Sequence, residues 1–194
     1  MTSASDTRNR LVAAGLEIMA SEGYDAAGLA AILGRAGVPK GSFYHFFASK
    51  EDFGLAVLEA YEDSWSEARE RLLGDGTRSA IERLHAYFDH LATVHEAESP
   101  VRGCLYGILA QTAGGRSPLF RDALRAVFAR WEGHLAALIA EGQQAGEIDR
   151  AISPASAAAF LVDAYEGALV RLKVGDTGEG FARLHRFAIE ALRA

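Results

Sequence analysis

The chain has 194 residues, of which 49% are apolar, and it carries a formal net charge of −6 at pH 7. This composition argues against intrinsic disorder and against a generally basic coat for nucleic acid, and the length suits one large or two small domains. A single cysteine allows no disulfide within the chain, and no apolar run approaches the ~18 residues of a membrane span. We therefore expect a cytoplasmic protein without a membrane segment.

The charge is unevenly distributed. Residues 1–50 contain five Lys or Arg against four Asp or Glu, a net charge of +1, so the rest of the chain carries −7. This asymmetry suits an N-terminal DNA-binding part attached to an acidic body.

Helical periods run along the whole sequence, and strand alternation is absent from it. We predict an all-α protein in which helices cover residues 7–21, 29–36, 39–47, 50–73, 77–95, 101–113, 118–145, 154–174 and 181–193.

Local signals mark several of these helix ends. Ser117-Pro118 and Ser153-Pro154 each combine a capping serine with proline in the first turn. Ser49-Lys50-Glu51-Asp52 matches a capping box, Gly37 makes a turn, and Pro39 is expected to begin the third helix.

The segment 37–47 has two contrasting faces. At 100° per residue, Phe43, Phe46 and Phe47 share one narrow arc and would clamp a helix too short to persist alone. Small, aromatic and basic groups occupy the other face, and such groups suit contacts with phosphates and base edges. Two short helices joined by a glycine turn predict a helix-turn-helix whose second helix enters the major groove; the alternative is an ordinary αα-corner.

Residues 7–55 resemble the N-terminal domain of the TetR family of bacterial transcriptional regulators. The residues that carry this resemblance are Ile32, Gly37-Val38, Lys40-Gly41-Ser42-Phe43-Tyr44-His45, Phe47 and Ser49-Lys50-Glu51. The resemblance implies a helix-turn-helix domain over residues 1–50 and a helical effector-binding and dimerisation domain over residues 51–194. It also implies a homodimer that binds palindromic operator DNA and is released by a small molecule.

The resemblance assigns roles to individual residues. It implies base or phosphate contacts for Lys40, Gly41 and Ser42, and phosphate clamps for Tyr44 and His45. Three further residues belong to the expected DNA-binding surface: Pro39, Lys50 and Arg8. Lys50 would also couple its helix to DNA. Arg8, together with Arg10, either reaches phosphates or is simply solvated.

The sequence departs from the family pattern at two places. Pro39 stands where Ser or Thr is frequent, and Ala27-Gly28 stand where a hydroxyl residue usually opens the second helix. One phosphate contact is therefore missing, and the helix cap is either missing or supplied by Asp25. We expect a lower affinity for DNA rather than a different function.

The segment Arg102-Gly103-Cys104-Leu105-Tyr106-Gly107 resembles a subset of these regulators that responds to electrophiles, such as the N-ethylmaleimide-reductase repressor. Cys104 would then be a sensing thiol, activated by Arg102 and a helix N-terminus, or part of the wall of a non-covalent effector pocket. The third alternative is a small buried hydrophobic residue.

Aromatic residues of the C-terminal part are candidates for the lining of an apolar effector pocket, although each of them also suits an ordinary core. These candidates, with Cys104, are Trp65, Tyr87, Phe88, Tyr106, Phe128, Trp131 and Tyr165. His85, His90 and His95 recur every five residues and do not share a helix face, so we expect neither a metal site nor a cofactor.

Small apolar residues recur every three or four positions along the last two long helices. Such stripes suit either a core or a two-fold interface, and the family resemblance favours the interface. The predicted interface residues are Leu161, Ala164, Ala168, Leu172, Phe181, Leu184 and Ala188.

These features predict a repressor, without enzymatic activity, that is controlled by an unidentified small-molecule effector. Two other classes are kept as alternatives. One is an enzyme built on Cys104, for which spacing identifies no partner His or acid. The other is a small-molecule-binding protein that has lost DNA binding, against which Lys40, Tyr44, His45 and Lys50 argue.

Overall fold

The computed structural model describes residues 4–98, 102–176 and 178–194. Within these ranges the chain is helical and has no β-strand, and the single isolated bridge joins Ile148 to Arg193. The described residues form nine α-helices: α1 Ala4–Ala26, α2 Leu29–Ala36, α3 Lys40–Phe46, α4 Lys50–Leu73, α5 Ala80–Glu96, α6 Leu105–Leu109, α7 Pro118–Ala145, α8 Pro154–Lys173 and α9 Glu179–Leu184. Helix α1 is interrupted at Gly23, whose φ of 81° is not helical. The prediction of an all-α fold is confirmed.

The chain folds into two compact units, and each unit combines two segments that are not adjacent in sequence. The first unit comprises Met1–Ser64 and Cys104–Val127, and the second comprises Trp65–Gly103 and Phe128–Ala194. Helices α4 and α7 each contribute residues to both units. The functional boundary after residue 50 stays a prediction.

Phenylalanine side chains form the core of the first unit. Phe43 and Phe53 are fully buried with ring centroids 5.3 Å apart, and Phe47 lies 4.9 Å from Phe53. A side chain at Gly15 of α1 would meet Phe53 at 2.4 Å, so glycine lets α1 and α4 approach closely here. Burial of each phenylalanine contributes about 1.5–3 kcal/mol, which is how the seven-residue α3 stays folded.

The turn between α2 and α3 follows the prediction. Gly37 adopts φ 62°, and the Val38 amide donates to the Leu33 carbonyl at 3.0 Å, which closes the end of α2. Neither α2 nor α3 has a side-chain cap: Gly28 precedes α2 and Pro39 precedes α3. Asp25 does not supply the missing cap, because its carboxylate pairs with Arg116.

The predicted helix 101–113 is wrong in its bounds. Pro100 and Val101 lie outside the described residues, and the residues at 102–104 are not helical. Gly103 has φ 89°, in the left-handed region, so the backbone there does not continue a right-handed helix. Helix α6 therefore begins only at Leu105, and a wider π-helical turn, Ala110–Gly114, follows it.

Side-chain caps begin four of the long helices, among them α4, where the Ser49 hydroxyl accepts a hydrogen bond from the Asp52 amide at 3.0 Å. The Ser117 and Ser153 hydroxyls accept hydrogen bonds from the Phe120 and Ser156 amides, as their Ser-Pro pairs predict. Helix α5 begins at Ala80 rather than at residue 77, because Ser79 and Glu82 form a reciprocal capping box. No helix in the described ranges is both long enough and apolar enough to cross a membrane.

Candidate functional site

The outward face of α3 is open to solvent. Lys40, Gly41 and His45 are exposed, and Tyr44 is 63% exposed, whereas Phe43 on the opposite face is completely buried. Ser42 is half-buried at the border between the two faces. The structure therefore brings together five of the predicted DNA-binding residues on one surface, which we call the α3 surface. It consists of Lys40, Gly41, Ser42, Tyr44 and His45.

Gly41 has no packing role within the chain. A Cβ atom added to Gly41 would meet no atom within 4 Å, in contrast to Gly15 in the core of the same unit. Alanine is also the better helix former by about 1 kcal/mol. The folded chain alone therefore does not require glycine at this position.

The two N-terminal arginines contact the fold in different ways. The Arg10 guanidinium donates hydrogen bonds to the carbonyl oxygens of Ala36 and, at 3.2 Å, of Gly37. Arg10 thereby satisfies carbonyl groups that the end of α2 leaves open. Arg8 is exposed, and its guanidinium lies 5.4 Å from the centroid of the Phe47 ring.

Lys50, at the start of α4, is bound to the end of α1. Its Nζ atom donates to the carbonyl oxygens of Tyr24 at 2.7 Å and of Asp25 at 3.4 Å. Burial lowers the pKa of Lys50, and the nearby Asp25 charge opposes that shift. Burial and the Glu51 and Asp25 charges raise the pKa of Tyr24. A lysine has three donors, so these contacts leave the predicted phosphate contact untested.

The first unit also holds two residues predicted to line an effector pocket. Cys104 is buried and directly precedes α6. Tyr106 is buried, lies 4.9 Å from the Tyr61 ring and donates its hydroxyl hydrogen to Glu62. The Tyr24 amide of α1 donates to Thr112 Oγ1 at 3.1 Å just after α6, so the Cys104 segment packs within the helix-turn-helix unit.

The other six predicted pocket residues belong to the second unit. Tyr165 lies at the centre of an aromatic cluster, with its ring 5.5 Å from Trp131 and 6.0 Å from Phe88. Tyr87 is buried beside Phe88. The remaining two, Trp65 and Phe128, are half-buried.

His95 joins this aromatic cluster, and sequence reasoning missed it as a site residue. It is only 1% exposed, and its ring lies 5.9 Å from Trp65 and 6.2 Å from Tyr165. Its Nδ1 atom lies 3.5 Å from Glu98 Oε2, and neither ring nitrogen has a hydrogen-bond partner in the described part of the chain. Burial lowers the pKa of His95, and Glu98 opposes that shift. A signal was present in the sequence, since His95 is one of two polar residues, with Arg83, on the buried face of α5.

A separate cleft of about 350 Å³ lies between α4, α5 and α7 of the second unit. Arg83, which is buried, donates to the Leu73 carbonyl at 2.7 Å and to Glu141 at 2.6 Å in its wall. None of the predicted effector residues lines this cleft.

The predicted interface stripe lies in the core of a single chain. A side chain at Gly180 would meet Ala168 at 3.0 Å, so the small residues of the stripe pack α9 onto α8. Leu161, Ala168, Phe181, Leu184 and Ala188 are buried, and Ala164 and Leu172 are half-buried. Most of these residues therefore have little exposed surface within the single chain, and the interface that we predicted for them stays a prediction.

Helix α8 has a different exposed apolar face. Phe160, Val170 and Val174 are each more than half exposed, as is Phe187 after α9. Phe160 and Gly167 are spaced by seven residues, which places them on one stripe of α8, and Val174 follows directly after the end of the helix. Gly167 has open space where a side chain would be. We call this set of residues the α8 stripe.

Within the described residues, no group of three or more His, Cys, Asp or Glu side chains could hold a metal ion.

Two family profiles match the chain. "Bacterial regulatory proteins, tetR family" matches residues 11–57, and "Tetracyclin repressor-like, C-terminal domain" matches residues 80–188. The first match includes the helix-turn-helix, and the second covers more than half of the chain.

Relatives match over most of the chain length. The transcriptional regulator AcuR of Cereibacter sphaeroides is 38% identical over 172 residues, which is 88% of this chain and 78% of AcuR. The transcriptional repressor DhaR of Mycobacterium sp. is 31% identical over 185 residues, 95% of this chain and 91% of DhaR. The crystal structure of E. coli NemR in its reduced form superimposes with a TM-score of 0.87 at 27% identity, covering 97% of each chain. The chain belongs to the TetR family of bacterial transcriptional regulators.

Proposed function

We propose that the protein is a repressor that binds a palindromic operator as a homodimer and releases it when a small-molecule effector binds. The observation that carries this proposal is the α3 surface, whose side chains are exposed while Phe43 on the other face is buried. Membership of a family of transcriptional regulators favours this function over a cysteine-dependent enzyme.

The proposed DNA contacts follow from the chemistry of the α3 surface. Lys40 and Ser42 can bind base edges or phosphates, and Gly41 lets the backbone approach the groove closely. Tyr44 and His45 would clamp phosphates on either side. Such contacts depend on Coulomb attraction, so operator affinity should fall steeply as salt rises.

Three further residues complete the proposed DNA-binding surface. Arg8 is exposed at the N-terminal side, and Pro39 directly precedes α3. Lys50 is the third. Its ammonium would bind a phosphate either while it keeps its hydrogen bond to the Tyr24 carbonyl or after it gives up that bond.

We propose the α8 stripe as the contact with the second copy. It offers an apolar surface with a glycine in its middle, which permits close approach of two helices. A two-fold dimer would place two recognition helices about 34–36 Å apart, in successive major grooves.

We propose the aromatic cluster around Tyr165 as the effector site. Helix α4 begins at Lys50 in the first unit and ends in the second, so a shift of this helix would act on both. A coupling free energy of about 1–3 kcal/mol would change operator affinity by about 5- to 150-fold.

Cys104 supports a second way of releasing DNA. It directly precedes α6 in the same compact unit as the helix-turn-helix, so modification of its thiol would disturb packing next to α1. Its burial favours a passive role. A Cys104→Ser variant that still responds to N-ethylmaleimide in a gel shift would exclude the sensor.

The whole proposal is tested by a gel shift on the DNA next to the gene, searched first for a palindrome. We expect a complex with two copies of the chain per palindrome, and we expect scrambling of one half-site to abolish it. A complex that is indifferent to the palindrome would contradict the proposal.

A further inference from the structure

His95 is a buried polar residue whose surroundings do not satisfy it. It is 1% exposed at the end of α5, between the rings of Trp65 and Tyr165 at centroid distances of 5.9 and 6.2 Å. Most buried polar atoms of folded proteins have a hydrogen-bond partner, and neither Nδ1 nor Nε2 of His95 has one in the ranges that the structure describes. Such an atom calls for an explanation, and a ligand group is one.

The contacts of His95 determine what kind of group is missing. Glu98 Oε2 lies 3.5 Å from Nδ1, and the same oxygen accepts the Arg102 amide at 3.2 Å. A carboxylate beside Nδ1 favours the tautomer that carries its hydrogen there. Burial lowers the pKa of His95, so the ring is neutral near pH 7. Nε2 is then a hydrogen-bond acceptor, and its missing partner is a donor.

We propose that His95 Nε2 is the polar anchor of the effector site and that the ligand is a small, largely apolar molecule with one hydroxyl group. The apolar body would pack against Trp65 and Tyr165, and the hydroxyl would donate its hydrogen to Nε2. This inference rests on the proposed effector function of the aromatic cluster and names the class of molecule that the cluster binds.

Trp65 is the natural entry point. Trp65 is half-buried, whereas His95 and Tyr165 are buried. The Trp65 ring also meets His90 edge to face at 6.2 Å. The proposed route to His95 therefore passes Trp65, which is the least buried of the three residues.

Cyclohexanol and cyclohexanone test the proposal because they match in size, while only the alcohol carries a donor. Isothermal titration calorimetry on the full chain without DNA measures both affinities. We expect the wild-type protein to bind cyclohexanol about tenfold more tightly than cyclohexanone, as one additional hydrogen bond to a buried acceptor would give.

Three variants locate the effect. His95→Phe keeps an aromatic ring without the acceptor and should bind both probes equally. His95→Gln places an amide near the position of Nε2 and should retain a preference for the alcohol. His90→Phe also alters a ring against Trp65 but is the control, and it should behave as wild type.

Several results would overturn the proposal. One is that the wild-type protein binds the two probes with equal affinity, and another is that it binds neither. A third is that His95→Phe still prefers the alcohol. Tighter binding of cyclohexanecarboxylate than of cyclohexanol would overturn the ligand class. If His95→Phe does not fold, the wild-type ratio and His95→Gln still decide. Since no DNA is present, a failure of the operator proposal is recognised separately in the gel shift.

Discussion

The Lys50 ammonium lies 4.7 Å from the centroid of the Tyr24 ring and donates a 2.7 Å hydrogen bond to the Tyr24 carbonyl. This contact fastens the first turn of α4 to the end of α1. The residue that we expect to meet a phosphate therefore also holds together the unit that contains α3.

Lys50→Met should lower the free energy of unfolding by about 1 kcal/mol, because the carbonyls at the end of α1 lose a charged donor on a partly exposed side chain. Lys50→Arg should keep most of the stability, since it retains a donor and a charge. Urea unfolding followed by circular dichroism measures both. A Lys50→Met variant as stable as wild type would show that the contact contributes nothing.

Gly41→Ala should fold at least as stably as wild type but bind the operator at least tenfold more weakly. Its Cβ meets no atom of the chain, so the cost arises only where DNA approaches. Gly34→Ala in α2 is the matched control, because Gly34 has the same open space and lies outside α3. Thermal melting and fluorescence anisotropy give the two readouts. Equal operator affinities for the two variants would remove Gly41 from the proposed surface.

Phe160→Glu should convert the proposed dimer into monomers without unfolding the chain, because it would place a charge in the centre of the proposed apolar contact. Leu119→Glu is the control, since Leu119 is exposed to a similar extent, 56% against 57%, but lies on α7. Sedimentation velocity distinguishes the two states. A Phe160→Glu protein that remains dimeric would place the interface elsewhere.

A pair of histidines ties the C-terminal segment to α5. The Nδ1 atoms of His85 and His185 are 2.6 Å apart and their rings stack at 4.8 Å. Their outer nitrogens lie 2.6 Å from Glu190 and 2.9 Å from Asp89. Burial lowers the pKa of His185, while Asp89 opposes the shift. The Arg193 and His85 hydrogen bonds lower the pKa of Glu190 to about 2.

Stability should therefore fall in acid. The folded state holds the pKa of both His95 and His185 below the ordinary value of 6.5, so it binds fewer protons than the unfolded state just below that pH. The free energy of unfolding should decrease as pH drops through 6.5, by at most about 1.4 kcal/mol per pH unit for each histidine. Because the pKa of Glu190 is also lowered in the folded state, the free energy of unfolding should decrease further below pH 4.5. Urea unfolding between pH 7.5 and 5.5 tests this, and a flat or rising stability toward pH 5.5 would contradict it.

The helices were largely predictable because their signals are local. Ser117 and Ser153 cap the helices that their Ser-Pro pairs predict. The turn at Gly37 requires only a residue that tolerates positive φ. The prediction of a helix from residue 101 was wrong because Gly103 takes the left-handed conformation. The presence of a glycine permits this conformation but does not predict it.

Burial was harder to predict than helicity. A stripe of small residues looks the same in sequence whether it faces its own chain or a second copy, and it is the 3.0 Å approach of Gly180 to Ala168 that shows these small residues packing α9 onto α8 within one chain. His95 was missed for a similar reason. Its significance depends on rings from α4 and α8 that are distant in sequence.

The central claim is that the α3 surface binds operator DNA, and Tyr44→Ala tests it most directly. Tyr44 is 63% exposed, so its removal should leave the fold and the dimer intact. Fluorescence anisotropy with the palindromic fragment should show wild-type binding that weakens as salt rises, and at least tenfold weaker binding by Tyr44→Ala at fixed salt. Unchanged affinity of Tyr44→Ala for the palindrome would contradict the account.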